Sequence, residues 1–354
     1  MNRKIGLLLL VVVMAISLIV AGCAPKAGPE PVPTPAPEGE TYQWRAQTLW
    51  DAGEISYQDF VNWCARVGEL SGGRLTIEPF PAGAIVSYNE AFEAVRNGMF
   101  EIDGSSGYAS GKDIAFDLVA APSVLYEDFM QRRIWYYRQG GKELTEELYR
   151  NWGLHCIGIH GWGDESLVFK NPVSTLEDFK GLKIRAPEGD VANLMKQLGA
   201  NVATIPGPDV YLALSTGVID AADWGSPSMN MSKGFFEVAN YFSLPGYHSC
   251  GFSPFYMNGD AYDSLPADLQ AILTSTAVEY DINQVMTAKY QDSIAIAEMA
   301  EMGVHGIAGT PELVNRVREI LISIYSEDAK DSELATRIFN SHINFLTEIG
   351  IWKG

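Results

Sequence analysis

Residues 181–248 constrain the fold of this chain more than any other stretch. They open on a short basic strand, Leu182-Lys183-Ile184-Arg185. Residues 186–189 form a Pro-Gly turn, and a helical run over 191–198 stops at Gly199, where a glycine can take the left-handed turn that closes a helix. Residues 201–205 read as a second strand and Pro206-Gly207-Pro208 as a loop, with Asp209 placed to cap a helix over 210–215. Gly217 ends that helix, and residues 218–224 (VIDAADW) return as a third strand. Strand, helix, strand, helix, strand with short turns is the cadence of an α/β domain with parallel pairing.

Two strand ends in this stretch carry chemistry. Arg185 stands just before a turn, and Asp223-Trp224 closes the third strand. Open α/β sheets bind ligands outside the carboxyl ends of their strands. A guanidinium there can clamp a carboxylate with two parallel hydrogen bonds. Net charge sharpens the point. The 354-residue chain carries −19, and loss of Arg3 and Lys4 with a leader would bring it near −21. Such a balance speaks against nucleic acid, which needs basic patches, and repels anions at long range. An anionic ligand therefore requires a local positive site or a bound cation.

The amino terminus reads as a leader rather than as part of the fold. Arg3 and Lys4 precede an apolar run over 5–20, broken only by Gly6 and Ser17, and Val20-Ala21-Gly22-Cys23 places small residues before a cysteine. This is a signal-peptide pattern over 1–22, shorter than the roughly 20 residues of a membrane span. Its ending resembles a bacterial lipoprotein signal, which would put lipid on Cys23. Residues 23–41 are rich in Pro, Ala and Glu, cannot bury enough apolar surface to fold, and read as a tether.

The remainder repeats the α/β cadence. Residues 42–50 alternate as an opening strand, and Ser56 is placed to cap a helix with Phe60, Cys64, Val67 and Leu70 on one face. Strands are expected at 74–80 and 100–103 with a helix at 89–97 between them, and Tyr108 lies in the Gly/Ser loop that follows. Residues 116–125 read as a loop or short strand, 129–149 as one helix, and 154–160 as a strand crossing to a second domain. Just beyond, Asp164 and Glu165 offer hard oxygen donors suited to Na⁺ or Ca²⁺. Residues 251–258 return as a strand, a long helix runs from 266–268 to about 302, a short strand covers 303–308, and helices cover 311–326 and 332–348. The cysteines show no CxxC pattern. Cys64 belongs to a helix core face, and a Cys156–Cys250 bridge is open to an exported chain. Phe235, Phe236 and Tyr241 can line a cleft or fill a core.

The string GLKIR, followed by P-x-x-x-V-Y-x-A-L-x-x-G-V-I-D-A-A-D-W and G-F-x-E-V-A-x-Y-x-x-x-P-G-Y-H, resembles the solute-binding proteins of TRAP transporters, the tripartite ATP-independent periplasmic transporters. The likeness extends from about Tyr42 to the end and is strongest to the branch that binds small 2-oxo or 2-hydroxy monocarboxylates with a metal ion. It implies an α/β two-lobe clamshell of the periplasmic binding protein type, with several interdomain crossings and a long helix spanning both lobes. Lobe I would hold 42–162 and 250–290, and lobe II 163–249 and 291–354. Arg185 would pair with the ligand carboxylate, aided by Tyr108, Asp164, Trp224 and His248. A Ca²⁺ or Na⁺ ion would sit on Asp223, the Trp224 carbonyl, and Asp164 or Glu165. Those last two stand where the branch carries a glutamine, and the extra carboxylate favours Ca²⁺. Asp223 is also shorter than the glutamate usual there.

The implied partners are a small organic acid and the membrane permease, with the chain held in the periplasm or on the outer face of the cytoplasmic membrane through lipid on Cys23. Apolar faces at 321–325 and 338–345 permit pairing into a homodimer. No G-x-S-x-G, G-x-x-x-x-G-K-[ST] or H-E-x-x-H motif occurs, so nothing in the chain asks for an enzyme. The alternatives are a dicarboxylate or other carboxylate ligand without metal, an exported metal-dependent enzyme acting on an oxo acid, and a sensor presenting its ligand to a receptor kinase.

Overall fold

The computed structural model describes residues 39–353, apart from 106–108, 110–111, 121–124, 127, 188, 206 and 248–249. The leader, Cys23, nearly all of the tether, Tyr108 and His248 lie outside the described residues.

In chain order the first elements are β1 (Tyr42–Gln47), α1 (Ile55–Leu70), β2 (Leu75–Phe80), α2 (Ala91–Arg96), β3 (Ile102–Asp103), α3 (Ile114–Ala120), α4 (Phe129–Arg138) and α5 (Gly141–Asn151). Next come β4 (Leu154–Asp164), β5 (Ser166–Phe169), β6 (Lys183–Arg185), α6 (Asp190–Gln197), β7 (Asn201–Ala203), α7 (Val210–Thr216), β8 (Ala221–Gly225), α8 (Pro227–Ser232) and β9 (Tyr241–Ser243). The chain closes with β10 (Cys250–Asn258), α9 (Gly259–Asp263), α10 (Ala267–Glu301), β11 (His305–Ile307), α11 (Pro311–Asp328) and α12 (Glu333–Glu348).

These strands form two sheets, ordered β2-β1-β3-β10-β4 and β11-β9-β5-β8-β6-β7. In the second, β6 pairs in parallel with both β7 and β8, as the cadence of residues 181–224 predicts. The chain passes from the first sheet to the second at Glu165, between β4 and β5, and returns between β9 and β10. Cys250 pairs opposite Asp164, so the two crossings lie side by side. Gly246 leans on Glu165 there: a Cβ at Gly246 would stand 2.0 Å from the Glu165 carbonyl oxygen. Helix α10 packs on β4 and α1 and also on α8, so it touches elements of both sheets. This is the two-sheet α/β fold with a long spanning helix that the sequence leads one to expect.

Each sheet buries its own apolar side. Trp44, Phe60, Trp63, Leu75, Phe255 and Leu273 pack together on the first. Val168, Val210, Leu214, Phe235, Phe236 and Phe242 pack on the second. Phe235 and Phe236 are therefore core residues, and Cys64 is core as well. A further cluster joins Trp135, Leu148 and Tyr256 to Leu321, Tyr325, Ile338 and Phe345. The apolar faces at 321–325 and 338–345 are thus largely consumed inside the molecule and do not provide the surface for pairing that the sequence permits.

Several local expectations need correction. Residues 114–120 are helical: Ala115, Phe116, Leu118 and Val119 are all buried and Asp113 caps the turn by accepting from the Ala115 N–H at 2.9 Å. So short an apolar run has no periodicity to separate helix from strand. The helix expected over 129–149 breaks at Gly140, whose φ of 84° is left-handed. Ser56 does not cap α1, which starts one residue earlier, and Asp209 makes no side-chain cap because a 3₁₀ turn over Gly207–Asp209 runs directly into α7. Leu70 is exposed. The glycine-rich stretch 161–164 continues β4 instead of forming a loop, since β10 pairs with it to its end. Cys156 lies opposite Tyr256 and Cys250 opposite Asp164, eight residues along β4. That separation is about 26 Å along a strand, far beyond disulfide reach. Elements β5, α8, β9 and α9 have no counterpart among the elements expected from sequence.

Candidate functional site

Arg185 is the last residue of β6, between β7 and β8, at the carboxyl edge of the parallel strands. Its Nε donates to the Ile205 carbonyl at 3.1 Å and its Nη1 to the Asp223 carbonyl at 2.6 Å. Backbone acceptors from the two flanking segments thus set the plane of the guanidinium. Its carbon lies 5.3 Å from the centre of the Trp224 ring, a cation–π distance that favours a desolvated guanidinium.

Trp224 is shaped by its surroundings. A Cβ on Gly207 would stand 2.3 Å from the ring, so only glycine lets the indole lie against that turn. Phe235 meets the ring edge-on at 6.1 Å, and Lys233 Nζ stands 5.6 Å from its centre. The indole Nε1 is buried and finds no acceptor among the described residues. Lys233 also pairs at 3.8 Å with Glu54, which precedes α1. This ion pair links a segment next to the first sheet with one next to the second. Burial raises the Glu54 carboxyl above the ordinary range, although Lys233 pulls it down.

Register brings the acids to the same edge. Ser166 at the start of β5 pairs antiparallel with Gly225 at the end of β8, which sets Asp164 and Glu165 just beyond that strand end, on the side of Ser226. Asn230 fastens this junction. Its Nδ2 donates to the carbonyls of Ser166 and Gly225, each at 2.9 Å, and its Oδ1 accepts from the Gly225 N–H at 3.2 Å. Asp223 is almost fully buried in β8, Glu165 half-buried at the crossing. The Asp164 carboxylate pairs with the Lys289 ammonium of α10. Among the described residues, no group of three or more His, Cys, Asp or Glu closes into a metal-type cluster. Asp164, Glu165 and Asp223 thus share an edge without converging on one point.

Buried polar contacts fix the helices behind this edge. Asp292 of α10 accepts through Oδ1 from Ser226 Oγ at 2.7 Å, Ser228 N at 2.9 Å and Ser228 Oγ at 2.6 Å. Arg133 of α4 and Asp281 of α10 form a buried ion pair, with Nε–Oδ distances of 3.1 and 2.9 Å. His160 on β4 is fully buried and meets Gln284 of α10 at 2.9 Å through Nδ1. Burial, which penalises the imidazolium, pushes its pKa down to about 4. A cavity of about 460 Å³ between α1 and α10, bordered by Asp59, Asn62, Arg66 and Thr287, contains none of the residues expected in the site.

Of the residues singled out from sequence, Arg185, Asp223, Trp224, Asp164 and Glu165 share one edge. Lys233, Lys289, Asn230 and Asp292 escaped sequence reasoning. Lysine, asparagine and aspartate on or next to a helix read as solvated surface, and only tertiary contact reveals these four.

The chain matches the DctP family, described as bacterial extracellular solute-binding protein, family 7, over residues 46–331. It is 28% identical to the monocarboxylate 2-oxoacid-binding periplasmic protein of Nostoc sp., over 88% of this chain and 86% of that protein. A TRAP periplasmic solute-binding protein from Pseudoalteromonas atlantica, solved with sodium and pyruvate, superposes with a TM-score of 0.75 at 27% identity, over 88% of this chain and 96% of that one. Another, from Colwellia psychrerythraea with calcium and pyruvate, gives a TM-score of 0.76 at 26% identity over the same shares.

Proposed function

Since this chain belongs to the DctP family of bacterial extracellular solute-binding proteins, the receptors of TRAP transporters, we propose that it captures a small 2-oxo or 2-hydroxy monocarboxylate together with a Ca²⁺ or Na⁺ ion and hands the acid to a membrane permease. The observation that carries this reading is the Arg185 site. A guanidinium stands at the carboxyl end of a parallel strand, steered by two backbone carbonyls and backed by Trp224. That is a geometry for gripping a carboxylate. Lys233 stands at the same edge, over the Trp224 ring. In so acidic a chain Arg185 and Lys233 supply the local attraction an anion needs. The buried Trp224 Nε1 is a donor suited to a ligand oxygen.

The donor chemistry suits a hard cation. Asp164, Glu165 and Asp223 supply carboxylates, the Trp224 carbonyl a further oxygen, and Asp164 already receives a positive partner from its own chain. A bound ion would offset these acids and polarise the ligand's oxo or hydroxyl oxygen. In this reading the lobes are residues 42–162 with 250–290 and 163–249 with 291–354, with α12 lying against α3 and α5 of the first, and they hinge at the paired crossings near Glu165 and Gly246. Closure would desolvate the ligand and strengthen its contacts. The chain acts as a receptor rather than an enzyme, and lipid on Cys23 holds it at the outer face of the cytoplasmic membrane.

The test is a thermal-shift screen of the purified protein with 2-oxo acids, 2-hydroxy acids and dicarboxylates, each with Ca²⁺, with Na⁺ and after chelation. A ligand that binds only the folded state raises Tm. Stabilisation by a monocarboxylate that disappears on chelation supports the reading. Stabilisation by dicarboxylates regardless of metal overturns the ligand class and the cation.

A further inference from the structure

We propose that Lys289 is the resident counter-ion of this site, and that a metal ion reaching Asp164 must displace the Lys289 ammonium. The inference rests on the assignment of Asp164 as a cation ligand. It adds a residue of the long helix that sets how tightly the cation binds.

The placement of Lys289 is dictated by its neighbours. Residues 288–292 of α10 run past the end of β4. A Cβ on Gly163 would stand 3.2 Å from Asp292 Oδ2 and 3.7 Å from Ala288 Cβ, so the strand end approaches the helix closely. Asp292, one turn beyond Lys289, binds Ser226 and Ser228 immediately after the Trp224-Gly225 strand end. This stretch of α10 is therefore tied to both strand ends that carry the acids. Between those ties Lys289 reaches Asp164 Oδ2, with its ammonium 5.5 Å from the centre of the Phe129 ring. Its side chain is 37% exposed and that of Asp164 30%. The pair is shielded enough to matter and open enough to part.

An ammonium and a metal ion are alternative partners for one carboxylate oxygen. Two positive charges on the same oxygen repel, and the lysine stem is flexible enough to swing into solvent. The pair consequently taxes the binding of any cation that reaches Asp164, and it keeps Asp164 compensated when no ion is bound.

The experiment is calorimetric titration of chelator-treated protein with CaCl₂ and separately with NaCl, with pyruvate at fixed concentration, for wild type, Lys289→Met, Lys289→Arg and Asp164→Asn. Circular dichroism and Tm establish that each variant is folded. The expected result is that Lys289→Met binds Ca²⁺ roughly fivefold tighter, the release of a partly exposed ion pair, with a gain of similar size for Na⁺, while Lys289→Arg stays near wild type. Unchanged or weaker Ca²⁺ binding in Lys289→Met, with binding lost in Asp164→Asn, overturns the exchange and leaves the cation site standing. Wild-type Ca²⁺ affinity in Asp164→Asn, or no cation uptake by any form, overturns the assignment of Asp164 and the exchange together.

Discussion

Gly246 leans one crossing between the sheets against the other, and Gly246→Ala probes that contact. The added Cβ would stand 2.0 Å from the Glu165 carbonyl oxygen, 3.1 Å from its carbon and 3.6 Å from Asp164 Cβ. Ordinary contact starts at 3.4 Å, so one crossing must retreat by more than an ångström. Neither yields easily. The obstructing atoms are backbone, Asp164 is paired with Cys250 and Ser166 with Gly225. Overpacking of this kind costs about 1–3 kcal/mol, and the absence of a flexible neighbour puts this case near the top of that range. For a folded body of this size, about 3 kcal/mol lowers Tm by roughly 4–5 °C. Thermal denaturation followed by circular dichroism at pH 7 reads this directly. The same retreat shifts Asp164 and Glu165, so the Tm rise produced by ligand and Ca²⁺ should shrink in parallel. A variant that melts within about 2 °C of wild type and keeps its full ligand shift would refute the side-by-side packing of the crossings.

Three further outcomes are expected. Arg185→Lys keeps the charge but loses the fork fixed by Ile205 and Asp223, and should weaken carboxylate binding by at least about thirtyfold, or 2 kcal/mol, in calorimetry while the protein stays folded. Arg133→Met strands the Asp281 carboxylate in the interior and should cost about 3–5 kcal/mol in urea denaturation, part of it recovered by adding Asp281→Asn. His160 titrates near 6.5 when unfolded and only at about 4 when folded. Its contribution is therefore complete above about pH 6.5 and is lost as pH falls toward 4, by up to about 3 kcal/mol. The Tm gap between wild type and His160→Gln should accordingly narrow between pH 7 and pH 4, and a constant gap would contradict a neutral buried imidazole.

The candidate site was partly legible because its principal residues sit on short parallel strands. Arg185 and Asp223-Trp224 stand out at strand ends flanked by Pro and Gly turns, and the edge of a parallel sheet is where ligands bind. The acids at 164–165 were visible as a pair, but their surroundings were not. A glycine-rich stretch reads as a loop, and only the antiparallel partner β10 extends it as strand to Asp164. Helix 114–120 was missed for the related reason that seven residues provide too little periodicity. Gly140, whose role depends on the next turn's direction, likewise hid a break in an otherwise helical run.

By itself the sequence determined the α/β class, the parallel trio around β6, the long helix and the arginine at a strand end. These follow from local rules: hydrophobic period, glycine turns and the placement of charge at element boundaries. Tertiary structure alone decided that the carboxy-terminal apolar faces are core and that Cys156 and Cys250 are far apart. It also decided that Lys233 stands over Trp224, and that Lys289 of a helix more than a hundred residues away compensates Asp164. Those facts depend on which distant segments share a surface. An exposed lysine and a lysine committed to a buried-edge carboxylate have the same local sequence signature, and they differ only in what the folded chain brings to meet them.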